Sequence, residues 1–284
     1  MGSPCAVSVW SESESEAALA SNLIMVEVER IEGKYSRYRA DSFLSEINRV
    51  AADGGALDVD DETASLLDFA SLTHKLSGGL FDVTSGLLRK AWDFRSATLP
   101  TAAALEPLLS RVGFEKLVWN RPRLSFPIPG MELDFGGIGK EYAVDRAVAV
   151  LTSTPVASGL VDLAGDVAVT GPLPDGSPWL IGIKHPRRTE EIWKTMPLSS
   201  GAVATSGDYE RCIEVDGRRY CHVLDPRTGW PVEGLASVTV RAGRCLLAGA
   251  LATITLLKGR NGPEWLGNRR VDALWMTVDG DEGP

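Results

Sequence analysis

No Cys-x-x-Cys pair occurs in this 284-residue chain, and its four cysteines, Cys5, Cys212, Cys221 and Cys245, stand apart without histidine-rich company. A structural zinc site, which needs clustered thiolate and imidazole ligands, is therefore not expected. Cys221 directly precedes His222 and leaves a thiol role open, although a small half-buried strand residue is the simpler reading. Positive charge is short as well. With 29 Lys and Arg against 38 Asp and Glu, the net charge is −9 and the pI about 5.0. That balance argues against nucleic acid or an anionic membrane as the main partner, since both attract a basic face. No apolar run approaches the ~20 residues that cross a bilayer, so no transmembrane segment is expected. The start of the chain has neither a positive n-region nor an apolar h-region. The chain as given is expected to be cytoplasmic, with a periplasmic location open if its N-terminus has been trimmed. Internal repeats, low-complexity tracts and long linkers are also missing, which points to a single unit over residues 1–284.

What remains is ordinary globular composition, 44% hydrophobic and 24% charged. Pro4 to Trp10 reads as a strand, and Ser13 to about Tyr35 as a helix with Glu14 and Glu16 in its first turn. Asp41-Ser42 caps a short helix carrying Phe43, Leu44 and Ile47. A helix from about Glu62 to Leu76 is stopped by Ser77-Gly78-Gly79. Another lies within Thr101 to Val112, with a possible start near Pro107. Beyond residue 115 the pattern turns to strands. They are expected at 115–119, 123–126, 131–135, 159–169, 179–183, 201–205, 211–215, 220–224 and 235–240, with a last one over 271–278. A helix follows Lys140 to about Leu151, and the apolar run Leu246 to Leu257 reads as a buried helix. The sum is an α+β fold.

Two constellations could carry chemistry. In Leu133-Asp134-Phe135-Gly136-Gly137-Ile138-Gly139-Lys140, a strand feeds glycines and a helix start, where free N–H groups and close backbone approach suit an anion. A lysine at a helix start is unfavourable unless an anion offsets it. Phosphate binding and a tight turn with a solvated lysine both remain open on these residues alone. The second constellation joins Thr205-Ser206-Gly207-Asp208-Tyr209 to the run His222 to Pro231. Of three histidines, His74 and His185 read as structural, and only His222 has polar company suited to a general base. Taken alone, it reads more readily as a hydrogen-bonded turn residue.

Taken in order, these segments resemble the ApbE family of FAD:protein FMN transferases. Met1-Gly2-Ser3 is similar to the family's Met-Gly-Thr/Ser opening, and Ser36 to Ser42 with Asn48 to its Ser-x-Tyr/Phe-Arg-x-Asp-Ser run and following Asn. Gly79-Leu80-Phe81-Asp82-Val83-Thr84 resembles Gly-Ala-Phe-Asp-Pro-Thr, and Leu133 to Asp145 resembles Leu-Asp-Leu-Gly-Gly-Ile-Ala-Lys-Gly-Tyr-Ala-Val-Asp. The runs at Thr205 and His222 match nearly letter for letter. The resemblance implies an ApbE-type, T-fold-like architecture with a flavin cleft between subdomains. It implies cleavage of FAD and attachment of FMN to a Thr or Ser of an acceptor flavoprotein, with release of AMP. It further implies FAD contacts from Met1, Tyr38, Leu80, Phe81, Asp82, Asp134, Lys140 and the backbone near Val223, with His222 as base. Magnesium would be held by the Gly137 carbonyl and Thr253.

One departure stands out. Where the family has Ala-Asp-Ala-Leu-Ala-Thr, with the Asp on magnesium, this chain has Ala248-Gly249-Ala250-Leu251-Ala252-Thr253. Asp162 and Ala164 stand where the family has Asn and Gly, and Glu141 replaces a Gly. Losing the acid at 249 weakens the expected metal site and leaves two alternatives open, a catalytically weak FAD-binding paralogue and a magnesium-dependent FAD pyrophosphatase. Another carboxylate such as Asp208 could take its place. On these grounds Gly249→Asp is expected to tighten magnesium binding, measured by calorimetric titration.

Overall fold

The first helix starts where the sequence places it. In the computed structural model, which describes residues 4–96 and 98–284, Ser13 accepts from the Glu16 N–H and opens α1 (Glu14–Tyr35), after the edge strand β1 (Cys5–Trp10). Ser42 caps α2 (Phe43–Ala52), and Asp60 caps α3 (Asp61–Ser77), which Gly78 closes in the left-handed conformation. Thr101 caps α4 (Ala102–Leu109), so Pro107 lies inside that helix and does not start it. A small sheet pairs β2 (Ala56–Asp58) with β4 (Arg123–Ser125) and β4 with β3 (Val118–Asn120). β2 has only three residues and carries no periodicity by which a sequence reading could find it.

The main sheet is antiparallel, in the order β1-β5-β6-β9-β12-β13-β14. The expected strand over 159–169 is a hairpin: β5 (Ser158–Leu163) and β6 (Asp166–Val169) turn at Ala164 and Gly165, both at positive φ. β9 (Gly201–Gly207), β12 (Leu235–Ala242) and β13 (Asp272–Thr277) follow, and the short β14 (Glu282–Gly283) comes after what was expected to be the last strand. Helices α5 (Gly139–Thr152) and α6 (Cys245–Leu257) lie on one face with α1, and α7 (Gly262–Gly267) packs beside α6. The other face is covered by a long hairpin, β7 (Trp179–His185) and β8 (Arg188–Leu198). β8 escaped the sequence reading because its alternation is largely polar.

Alternation decides which residues face which layer. Ala168, Ala202 and Ala204 belong to the helix-side core, whereas Val167, Val169 and Val203 join Ile181, Ile183, Met196 and Leu198 under the hairpin. The alanines let α6 approach the strands closely. A third cluster, with Leu87, Leu88, Trp92, Leu105 and Tyr220, supports the hairpin of β10 (Cys212–Val215) and β11 (Arg218–Cys221).

Ala164 holds φ 59° at the β5–β6 turn, a conformation that costs a residue with a Cβ. Ala164→Gly should therefore raise stability by ~0.5–1 kcal/mol, the relief of strain exceeding the added freedom of the unfolded chain. Thermal unfolding checks it, and a lowered midpoint would contradict the strain argument.

Candidate active site

The segment 131–135 is extended but joins no sheet, contrary to the strand expected there. Side chains hold it instead. The Asn48 amide donates to the Leu133 carbonyl at 2.9 Å and accepts from its N–H at 2.7 Å, and the Asp134 N–H donates to the Val83 carbonyl at 2.7 Å. Asp134 then accepts from the Gly136 N–H at 2.8 Å and forms an ion pair with Arg37. A Cβ at Gly86 would lie 2.3 Å from the Asp134 Cβ, so this approach requires glycine at 86.

From Asp134 the polar contacts run on to His222. Arg37 donates to the Tyr38 hydroxyl at 2.8 Å, and Arg211 donates to the same oxygen. Burial pushes the Tyr38 phenol up, but the two guanidinium groups outweigh it and hold the group below its ordinary value. His222 follows directly after β11, its N–H donating to the Arg211 carbonyl at 2.9 Å. Its side chain is exposed, yet the surrounding protein displaces part of the bulk water around it. That desolvation lowers its pKa. The Arg211 and Arg37 charges push the same way, against the Arg211 backbone and Glu210. Neutral imidazole is favoured, the form a general base needs. The neighbouring Val223 carbonyl accepts from the Val232 N–H at 3.0 Å.

Lys140 lies at the other end of the glycine turn. Its ammonium is paired with the buried carboxylate of Asp166, which also accepts from the Thr205 N–H at 3.3 Å. The anion that offsets a lysine at the helix start is thus supplied by the protein itself, which removes the sequence argument that a ligand must supply it. The lysine side chain keeps 32% of its surface, so a further anion can still reach it. Gly137 passes over Phe81, whose Cζ lies 3.2 Å from where a Cβ would stand, and Leu80 and Phe81 are buried. Asp82 faces its own chain. It accepts from the Thr84 N–H and hydroxyl at 2.7 and 2.6 Å and from the Phe114 N–H at 2.8 Å, with His74 at 3.4 Å. Burial pushes its pKa up, and these donors together bring it below the ordinary value.

Asp145, at the end of the motif that begins with Leu133, caps the neighbouring helix. Its carboxylate accepts from the Cys245 and Leu246 N–H groups at 2.7 and 3.1 Å, which α6 lacks a local side chain to satisfy. One turn earlier on α5, Glu141 packs against Gly249, one turn later on α6. A Cβ at 249 would stand 2.5 Å from the Glu141 Cγ and 3.0 Å from its Oε1. Glu141 is buried, and its Oε2 has no hydrogen-bond partner among the described residues. One turn further along α6, Thr253 shares a 2.8 Å hydrogen bond with Ser206. The Thr253 hydroxyl and the Glu141 carboxylate are hard oxygen donors of the kind magnesium prefers, so the chemistry of these residues fits such an ion. Asp208 is held by Arg187 in a bidentate pair at 2.6 and 2.7 Å and is not the acid beside Gly249.

The turn from Asp134 to Lys140 therefore connects Tyr38 and His222 with Phe81 and Lys140. Met1 lies outside the described residues. Arg37, Arg211, Asp166 and Glu141 were missed as site residues. Arg37 and Glu141 lay within motifs already noted, Glu141 as a departure from the family's Gly, while Asp166 and Arg211 show no local signal. Cys221 is buried and its thiol is pushed up to about 11, chiefly by desolvation, which suits the strand residue and not a nucleophile. Two grooves of about 280 and 500 Å³ adjoin Trp230 and share no residue with this site.

A sequence profile of the ApbE family matches residues 1–275. An FAD:protein FMN transferase of Vibrio cholerae is 32% identical over 265 residues, covering 90% of this chain and 78% of that protein. The namesake from Treponema pallidum is 33% identical, with 91% and 77% covered. Among solved structures, the ApbE protein of Thermotoga maritima superposes with a TM-score of 0.87 at 33% identity, covering 98% of this chain and 91% of that one. The apo flavinyl transferase ApbE of Pseudomonas stutzeri also reaches 0.87, at 31% identity and 99% and 90% coverage.

The seat at 249 is already filled, which reverses the simple expectation for that position. Gly249→Asp alone should destabilise the protein by ~1–3 kcal/mol through overpacking against Glu141 and should not tighten magnesium binding. Urea unfolding and calorimetry check both statements.

Proposed function

This chain belongs to the ApbE family, and from that premise we propose that it is an FAD:protein FMN transferase. Its substrates are FAD and an acceptor flavoprotein presenting a Thr or Ser hydroxyl. The observation that carries the reading is the turn from Asp134 to Lys140, which connects a neutral-favouring histidine and two arginines to a lysine with residual exposure. A pyrophosphate and a hydroxyl nucleophile need those two kinds of group.

In the reaction the acceptor oxygen forms a bond to the FMN phosphorus as the bond to the AMP oxygen breaks. His222 takes the hydroxyl proton, and its depressed pKa keeps it free to do so at neutral pH. Lys140, Arg37 and Arg211 place positive charge near the phosphates. They stabilise the charge that grows on the departing AMP. Arg37 stays fixed by Asp134, and Lys140 by Asp166, so neither cation must reorganise during the step. Magnesium, held by the Gly137 carbonyl and Thr253 hydroxyl, would supply further charge neutralisation on the pyrophosphate. Leu80 and Phe81 provide an apolar wall for a planar ring.

The test combines chromatography for AMP with the mass of an acceptor protein after incubation with FAD and magnesium. AMP formed together with a flavinylated acceptor supports the transferase. AMP formed equally without acceptor would make the protein a pyrophosphatase, and tight FAD binding with no AMP would make it a flavin-binding paralogue. His222→Ala should lower kcat/KM about a hundredfold or more while leaving FAD binding largely intact. The acid limb of the pH profile should lie below 6.5, because the folded protein favours the neutral ring. A limb above that value would contradict His222 as the base.

A further inference from the structure

We infer that Glu141, reaching across from α5 into the space left open by Gly249 on α6, provides the carboxylate for a divalent cation at this site. The inference rests on the flavin-transferase reading only for what the cation serves.

Three observations carry it. First, the helix pairing is a ladder with a one-turn step. Asp145 bonds to the N–H of Cys245, and Glu141 abuts Gly249. Both α5 positions are four residues apart and so are both α6 positions, so each pair occupies one face. One further turn along α6 stands Thr253, and Gly137 lies in the turn just before α5. Second, the seat is shaped for this side chain. Any Cβ at 249 would fall within 2.5 Å of the Glu141 Cγ, so the glycine makes room for the acid. Glycine inside a helix is destabilising relative to alanine, and here it admits the Glu141 side chain.

Third, the acid lacks enough partners for its burial. Glu141 retains 7% of its surface. Oε1 stands 3.7 Å from the Lys140 ammonium, a loose contact, since that ammonium is engaged by Asp166. Oε2 has no hydrogen-bond partner among the described residues. A buried carboxylate oxygen without a donor is costly unless a cation meets it. Among the described residues, Lys140 is the cation that stands beside it, Asp145 and Cys245 are further titratable groups near it, and Arg244 acts on Asp145. The ligand chemistry is hard: the Glu141 carboxylate and the Thr253 hydroxyl, with the Gly137 carbonyl as the third donor of the proposed site. That combination suits magnesium or manganese.

The probe is manganese(II), titrated into the purified protein with and without FAD and followed by the electron paramagnetic resonance of the free ion. FAD binding is read separately from flavin fluorescence. We expect one bound manganese, with Glu141→Gln weakening it about tenfold or more while thermal unfolding stays close to that of the unaltered protein. The double change Glu141→Gly with Gly249→Asp, which moves the acid back onto α6, should recover affinity to within about threefold. Unaltered manganese affinity in Glu141→Gln would overturn the inference. So would the absence of manganese binding to the unaltered protein under both conditions. Manganese binding that depends on Glu141 without any FAD binding would support the inference while removing the flavin reading. FAD binding with manganese indifferent to Glu141 would do the reverse.

Discussion

The capping of α6 by Asp145 is the contact on which the arrangement of the site depends. A helix whose residues are nearly all buried cannot leave its first N–H groups to water, and α6 opens with Arg244, whose side chain makes no capping bond. The neighbouring helix supplies the missing acceptor. Burial pushes the Asp145 carboxyl up and the two N–H donors oppose this without fully offsetting it, so the cap is held against a desolvation cost. Because the bonds run between helices, they fix axial register as well as satisfying N–H groups. Every α5 residue one turn apart then meets a defined partner on α6.

The other charged groups of the site stand in opposed pairs. Arg37 meets Asp134, Lys140 meets Asp166, and Arg187 meets Asp208. Each pair is partly or wholly removed from water, where charges are costly unless matched. Asp166 is also tied to the β9 backbone through Thr205. The lysine at the helix start therefore reports the position of the sheet beneath it.

Much of this was legible in the sequence, for identifiable reasons. Helices α1, α2 and α3 were visible because each combines a side-chain cap with apolar periodicity, at Ser13, Ser42 and Asp60. The glycine turn and His222 were visible as motifs. The β5–β6 turn was hidden because Ala164 takes a conformation usually given to glycine. The extended run at Met131 to Phe135 looked like a strand, but its partner is the Asn48 side chain, to which strand patterning is blind. Asp166 and Arg211 carry no local signature, Glu141 shows only as a departure from the family's Gly, and the roles of all three come from contacts across elements that only the folded chain brings together.

The fit between Glu141 and Gly249 also bears on how such a site can change over time. An acid on both helices overfills one seat, and a glycine on both leaves it empty. The two positions are thus strongly coupled, and their effects should not add. A change that begins at either one passes through a poorer intermediate, so the two residues are expected to move together or not at all. Read against the family motif alone, position 249 looks like the loss of an acid. In space, the neighbouring helix has refilled the volume, and the meaning of either position is defined only by the other.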